Sequence, residues 1–320
     1  MTKITLIILA AIFAVLLVAY TIACFCCLRL VVGRKKKQKP PENEWQQYKN
    51  EQKAKNNDYL MSKNPEDLTL KSCKGQTMKA WFVPGKNDKR FVICVHGYGS
   101  TGPNEFSHMF PFYNEEMGYN YLIPDLTAHG RSKGYFIGFG SFDAKNILLW
   151  IDYLIERFGE DIEIILHGIS MGAATVMNVN EMNPPDQVKI VIEDCGFTSA
   201  YDQVYHTAKN MLGFECKHLL ASTNALCKIF AGYRLQESDP AGNMSKAKNP
   251  ILFIHGEDDD FVPFEFGKRL YEACTTVEKD FYWAPDANHA DSYYKAKDPY
   301  EEKVKSFIKK HLDKKTAETK

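Results

Sequence analysis

Ile162-Glu163-Ile164-Ile165-Leu166-His167-Gly168-Ile169-Ser170-Met171-Gly172-Ala173-Ala174-Thr175-Val176 is the stretch on which the fold turns. Four of its first five residues are isoleucine or leucine, the pattern of a strand buried on both faces. A Gly-x-Ser-x-Gly turn follows, and then a run of small residues that can open a helix. The two glycines leave room for a strained strand-to-helix turn that lifts the Ser170 hydroxyl clear of the sheet. The first N–H groups of the following helix point at the same spot. The five-residue string alone arises by chance in roughly one chain in twenty of this length, so the flanking strand and helix carry the weight. A non-catalytic serine in a glycine-rich turn is the alternative.

Outward from this unit, short apolar runs alternate with longer helical ones. Strands are predicted over 68–72, 78–83, 91–95, 119–123, 162–166, 188–192, 251–254 and 280–283, and helices over 105–117, 142–158, 171–182, 265–274 and 300–311. Continuous apolar strands alternating with helices predict an α/β fold: a mostly parallel, eight-stranded sheet covered by helices on both faces. The first two strands, joined at Lys74-Gly75, read as an antiparallel hairpin at one edge. One interval breaks the rhythm, since about fifty residues separate the strands at 188–192 and 251–254, with apolar helical patterns over 204–212 and 219–230. A connection of that length is a lid or a binding element, here a small helical lid over about 198–249. A plain crossover helix with an extension is the other reading.

The 320 residues are 45% hydrophobic and 25% charged, enough for a sizeable core. The net charge of zero hides two unequal parts. Residues 1–64 hold eleven basic and four acidic side chains, net +7, which leaves the remainder at net −7. An acidic body is a poor binder of phosphate backbones, so nucleic acid is set aside. Ile4 to Leu28 are twenty-five residues without a charge, about 37 Å as a helix, which is long enough to span a bilayer. A cleaved signal peptide is the rival, but the run exceeds a normal signal core and continues through Cys24, Cys26 and Cys27. Arg29 and the run Arg34, Lys35, Lys36, Lys37, Lys39 follow it, against Lys3 before it. By the positive-inside rule the body faces the cytoplasm, although long domains can be translocated regardless and the basic run could equally rest on anionic headgroups. The chain thus divides into an anchor with its basic flank (1–33), a polar, partly helical membrane-proximal linker (34–64) and an α/β body (65–320). Cys24, Cys26 and Cys27 stand where S-acylation is possible, packing in lipid being the plainer reading. The other six cysteines show no metal or disulfide spacing.

A serine at its ordinary pKa needs a base, and the base needs an acid to orient it. In this topology both follow the nucleophile on later loops. His289, in Asp286-Ala287-Asn288-His289-Ala290-Asp291 just past the last strand, is the candidate base. The others precede Ser170 (His96, His108, His129, His167), fall in the lid (His206, His218), sit at a strand end (His255) or end a solvated helix (His311). The acid lies among Glu257, Asp258, Asp259 and Asp260 or at Asp194, and spacing alone does not choose. The N–H groups of Tyr98, in Val95-His96-Gly97-Tyr98-Gly99, and of Met171 are the candidate oxyanion hole.

With these residues in view, the chain resembles the α/β-hydrolase superfamily over about 66–312 and is similar to its membrane-anchored bacterial serine hydrolases. The resemblance rests on His96-Gly97-Tyr98-Gly99, Pro124-Asp125 with His129-Gly130-Arg131-Ser132, Gly168-Ile169-Ser170-Met171-Gly172, His255-Gly256 with Asp259 and Val262-Pro263, and Asn288-His289-Ala290. The family's H-G-x-x-D-x-x-V-P pattern implies Asp259 as the acid. Thr127-Ala128-His129-Gly130 departs from relatives, which often carry Arg-Gly before the His-Gly. The resemblance implies hydrolysis of an ester, thioester or amide without metal or organic cofactor, and Ser170 in place of Asp argues against dehalogenase or epoxide-hydrolase chemistry. The anchor and the apolar lid residues Met211, Leu212, Phe214, Leu219, Leu220 and Phe230 favour esters or thioesters of lipid-like acyl chains as substrate, with the bilayer as the other partner. An aminopeptidase-like enzyme is the rival, with Asp202, Glu215, Glu237 or Asp239 holding a substrate ammonium. A non-catalytic interaction module is the third reading.

Overall fold

A computed structural model describes residues 3–35 and 43–313. Lys36, Lys37 and Lys39 of the basic run and the start of the linker lie outside the described residues. The chain opens with two helices, α1 (Lys3–Val32) and α2 (Glu44–Ser62), and continues β1 (Glu66–Lys71), β2 (Thr77–Val83), β3 (Arg90–Val95), α3 (Gly102–Phe106), β4 (Asn120–Asp125), α4 (Ser141–Phe158), β5 (Glu163–Ile169), α5 (Met171–Glu181) and β6 (Val188–Asp194). After β6 come α6 (Ala200–Leu212), α7 (Lys217–Phe230), α8 (Pro240–Asn243), β7 (Ile251–Gly256), α9 (Phe264–Ala273), β8 (Lys279–Ala284), α10 (Ser292–Lys295) and α11 (Lys297–Leu312).

The eight strands form one sheet in the order β1-β2-β4-β3-β5-β6-β7-β8. Strands β3 to β8 pair in parallel, whereas β2 is antiparallel to both β1 and β4. The sheet is therefore mixed, with only β2 reversed. Strands β4 and β7 are buried at every position, as a parallel strand covered on both faces must be. On one face, α4 lays Ile147, Trp150, Ile151 and Leu154 onto the sheet at helical spacing. On the other, α11 does the same with Val304, Phe307 and Ile308. The helix predicted over 105–117 is instead α3, one 3₁₀ turn and a π turn starting at Pro111, since a proline inside the run removes a backbone donor and clashes with the preceding turn.

Two N-terminal elements pack on the body. The most apolar part of α1 buries nothing, but its last turns enter the domain, with Leu28 and Val32 inside the main core. Of the boundary cysteines, Cys24 is buried and Cys26 exposed. Helix α2, within the predicted linker, docks on the body. It buries Leu60 completely, and Trp45 Nε1 donates to Asp291 Oδ2 at 2.8 Å while Lys49 Nζ reaches Asp291 Oδ1 at 2.5 Å. Both members of that ion pair are largely out of water, at 12% and 4% side-chain exposure. Lys49→Ala is expected to destabilise the protein by about 1–3 kcal/mol, because a buried carboxylate loses its counter-charge. Urea unfolding checks this, and an unchanged midpoint would mean that Trp45 alone satisfies Asp291.

The segment predicted to be a lid is packed into the body. Helix α7 buries Leu220, Thr223, Asn224 and Cys227, and Leu220, Cys227, Tyr233 and Leu235 belong to the main core. Its two helices rest on different partners. Gln203 of α6 donates to the Phe261 carbonyl at 2.8 Å, whereas α7 packs on α1, where the Phe230 and Phe25 rings meet at 5.4 Å.

Candidate active site

Strand β5 delivers Ser170 at its carboxyl end. The backbone there is at φ 58°, ψ −117°, a conformation that costs an L-residue about 1–2 kcal/mol, and its neighbours hold it. The Ser170 N–H donates to the Asp194 carbonyl at 2.7 Å, and its own carbonyl accepts from Ala174 N at 3.1 Å, starting α5. A Cβ on Gly168 would collide with the Gly172 carbonyl, and one on Gly172 with the Val95 carbonyl. Only glycine therefore lets β3, the elbow and α5 close up.

His289 stands on the loop after β8. Its Nε2 lies 2.9 Å from Ser170 Oγ and its Nδ1 2.7 Å from Asp259 Oδ2. With Nδ1–H donating to the carboxylate, Nε2 is left to accept the serine hydroxyl. The Phe261 ring lies 4.9 Å from the imidazole and covers part of it. Two residues on, the buried Asp291 is the carboxylate held by Trp45 and Lys49, so α2 ties down the histidine loop.

Asp259 is buried, whereas Glu257, Asp258 and Asp260 are exposed. Its Oδ1 accepts from Phe261 N at 3.0 Å and Val262 N at 2.8 Å, which leaves Oδ2 for the imidazole. His255, set at a strand end by the sequence, stands behind it, with Nε2 3.4 Å from Oδ2 and 2.9 Å from the Val262 carbonyl. Burial works against the charged carboxylate, but the hydrogen bonds from His255 and His289 outweigh it and hold Asp259 well below the usual range. Burial likewise opposes the imidazolium of His289, yet the bond to Asp259 and its charge lift the pKa above the ordinary 6.5. Asp194, the other candidate acid, faces elsewhere. Its Oδ2 accepts from Tyr300 at 2.9 Å, and burial pushes its pKa up to about 6.

Met171 opens α5 beside the elbow, and Tyr98 lies on the turn after β3. A Cβ on the adjacent Gly97 would fall 3.2 Å from Ser170 Cβ and 3.7 Å from Oγ, so this turn runs against Ser170. Two histidines to which the sequence assigns no role brace it. His96 Nε2 accepts from Leu126 N at 3.0 Å, and His129 Nε2 accepts from Gly99 N at 3.1 Å. Burial lowers both pKa values, that of His129 to about 3, so both stay neutral and able to accept. His129 belongs to the departing turn, where Ala128 sits at φ 64°, a conformation natural to glycine. The Tyr98 hydroxyl donates to the Leu30 and Val31 carbonyls at 3.0 and 2.7 Å. That contact joins the turn to the end of α1, across a sequence gap that no motif spans.

Among the described residues, Cys195, Asp259 and His289 bring metal-ligand-type atoms within 4.8 Å of one another. Asp259 and His289 are engaged with each other, and burial holds the Cys195 thiol far above its ordinary pKa. That donor set fits a hydrogen-bonded acid–base pair beside a protonated thiol better than a cation.

Comparison with known proteins agrees with this frame. The chain is 28% identical over 241 residues, 75% of its length and 78% of the other's, to the uncharacterised protein YqkD of Bacillus subtilis. It is 24% identical over 194 residues, 57% of its length and 46% of the other's, to the lysophosphatidylserine lipase ABHD12 of Xenopus tropicalis. The Pyrococcus furiosus esterase Pf2001 superposes with a TM-score of 0.64 at 21% identity, over 79% of this chain and 94% of that one, a likeness of fold. Residues 104–315, from α3 to the end of α11, match the prolyl oligopeptidase family, peptidase S9. The chain belongs to the prolyl oligopeptidase family and is a serine hydrolase of the α/β-hydrolase superfamily.

Proposed function

We propose that this protein is a membrane-tethered serine hydrolase that cleaves carboxylesters or thioesters of lipid-like acyl chains through a Ser170–His289–Asp259 triad. The observation that carries the reading is the unbroken line of hydrogen bonds from Ser170 Oγ through His289 to Asp259. Ser170 Oγ attacks the substrate carbonyl carbon as its proton passes to His289 Nε2. Asp259 stabilises the imidazolium, and the Tyr98 and Met171 N–H groups receive the oxyanion. When the tetrahedral intermediate collapses, the bond to the leaving oxygen or sulfur breaks and that atom takes the proton from Nε2. Water then attacks the acyl-enzyme, gives a proton to Nε2 and releases the acid, and the proton returns to Ser170. Neither a metal nor an organic cofactor is needed for any of these transfers. Residues 1–33 serve as anchor, 34–64 as membrane-proximal segment and 65–320 as hydrolase domain, with the flanking positive charge setting the body on the cytoplasmic side.

Family membership favours a second reading, amide hydrolysis with a lid carboxylate holding a substrate ammonium. The four carboxylates in question are already engaged. Thr198 donates to Asp202, Lys209 and Lys217 flank Glu215, Lys228 pairs with Glu237, and Asp239 accepts from Gly242 N. The name of the lipase relative points to lipid esters. Comparing kcat/KM for a butyrate ester with that for an aminoacyl arylamide separates the two. A ratio of about 100 or more in favour of the ester is expected, about 2.7 kcal/mol of differential transition-state binding. Equal or reversed turnover would transfer the assignment to the peptidase.

A further inference from the structure

The lid carries more exposed apolar surface than a soluble enzyme has reason to show. Met211, Leu212 and Phe214, around the bend between α6 and α7, are 80%, 44% and 60% exposed, and Ile229 and Phe230 at the end of α7 are 72% and 50% exposed. Their position relative to α1 gives them a use. From Ile4 to Val18 the large apolar side chains of α1 are all at least half exposed. The helix meets the body through Tyr20, whose hydroxyl bonds the His218 carbonyl at 3.2 Å and Ser222 Oγ at 2.9 Å. A hydrocarbon core takes about 20 helical residues, so a span starting at Ile4 ends near Ala23. Tyr20 then lies in the last turn of the span, and the start of α7 lies at the same depth. The apolar bend immediately precedes that point in the chain. Lys209 and Lys217, 51% and 70% exposed beside it, and the exposed Arg29 of α1 suit a headgroup layer.

We propose that the α6–α7 bend is a second, non-spanning membrane contact, seated in the leaflet from which α1 emerges, so that the enzyme draws its acyl substrate sideways from the bilayer. The proposal rests on the membrane-tether reading above and adds to it the depth of the lid and the route of the substrate. A cavity of about 750 Å³ lies where the route would run, walled by Phe25 and Leu28 of α1, Phe230 of α7 and Phe136, with Arg29 and Lys35 also lining it. Its volume falls within the range of small-ligand sites. It adjoins the turn after β3, since a Cβ on Gly99 would meet Lys35 Cγ at 3.9 Å and the Tyr98 hydroxyl bonds the last carbonyls of α1. An acyl chain leaving the leaflet between anchor and lid would thus arrive beside the nucleophile.

Full-length protein in lipid nanodiscs containing acyl-brominated phosphatidylcholine tests this. The single variants Phe214→Trp and Met211→Trp probe the bend, Phe13→Trp probes the span, and the parent chain with its four tryptophans sets the baseline. Quenching beyond the parent at position 13 and at either bend position, to about half the added emission, is the expected result. Quenching at position 13 with none at 211 or 214 overturns the proposal while leaving the tether intact, and would mean that another protein surface or a second copy covers the bend. Quenching at none of the three overturns the tether itself. None of these readouts depends on ester hydrolysis, so a failure of the catalytic reading is seen separately.

Discussion

Ser170→Ala is expected to lower kcat by about a million-fold and to abolish covalent labelling by a fluorophosphonate, which in the parent chain adds one adduct, on Ser170. The size of the loss follows from the geometry. Oγ is the hydroxyl oxygen that His289 Nε2 bonds, at 2.9 Å, and alanine leaves that base without the group it would activate. The variant should fold as the parent does. The backbone at position 170 is held by the Asp194 carbonyl and by Ala174 N, both independent of the side chain, and alanine bears the same positive φ at similar cost. An unchanged melting temperature with activity gone locates the effect in chemistry. Intact-mass and peptide mapping of parent and variant read both outcomes, and a persistent adduct in the variant would move the nucleophile elsewhere. No adduct on the folded parent would bring the non-catalytic module back to the front.

Much of this arrangement is legible in the chain, for physical reasons that differ from element to element. The inner strands announce themselves because a strand covered on both faces needs a continuous apolar run, as in Phe91-Val92-Ile93-Cys94-Val95, whereas β1 and β8 at the sheet edges are only partly buried. The carboxyl ends of the inner strands are less legible. Strand β5 continues to Ile169 and β6 to Asp194, past the apolar runs, because the two strands go on pairing through Gly168 with Glu193 and Ile169 with Asp194. The acid is the clearest limit. Glu257, Asp258, Asp259 and Asp260 are equivalent by composition and spacing, and what separates them is that Phe261 N and Val262 N turn back onto one of the four. The docking of α2 is equally silent in sequence, because it depends on a polar clamp between Lys49 and Asp291, 242 positions apart, and on one buried leucine rather than an apolar stripe. The contact between the Tyr98 hydroxyl and the end of α1 is hidden for the same reason. One hydroxyl proton is shared between two carbonyls of the kind any helix end leaves open, and no local pattern says which side chain will supply the donor.

Asp259→Asn is expected to cut kcat by about 10⁴-fold and to shift the acidic limb of the pH–rate profile toward lower pH. Oδ1 of Asp259 is committed to two backbone N–H groups, of Phe261 and Val262, so the oxygen of an asparagine must stay on that side. Its NH₂ is then turned toward His289 Nδ1, which can face a donor only as an acceptor. The imidazole proton moves to Nε2, and the atom 2.9 Å from Ser170 Oγ can no longer take the hydroxyl proton. The pH effect follows from the same bond. In the parent, Asp259 raises the pKa of His289 above 6.5 against the opposing effect of burial, so the imidazole is protonated below that raised value and kcat/KM climbs as pH rises through it. Without the carboxylate charge, burial is opposed only by the weaker influence of Glu105 and Asp194, so the His289 pKa falls and the limb moves down. A kcat/KM profile from pH 5 to pH 9 for parent and variant checks both parts. If activity survives in the variant, Asp194 would have to swing from Tyr300 to reach the imidazole. Asp194→Asn combined with Asp259→Asn would then remove the residual rate, whereas Asp194→Asn alone, with Asp259 still holding His289 Nδ1 at 2.7 Å, leaves the base oriented and moves the limb down by less than Asp259→Asn does, since the Asp194 charge is a smaller influence on the imidazole.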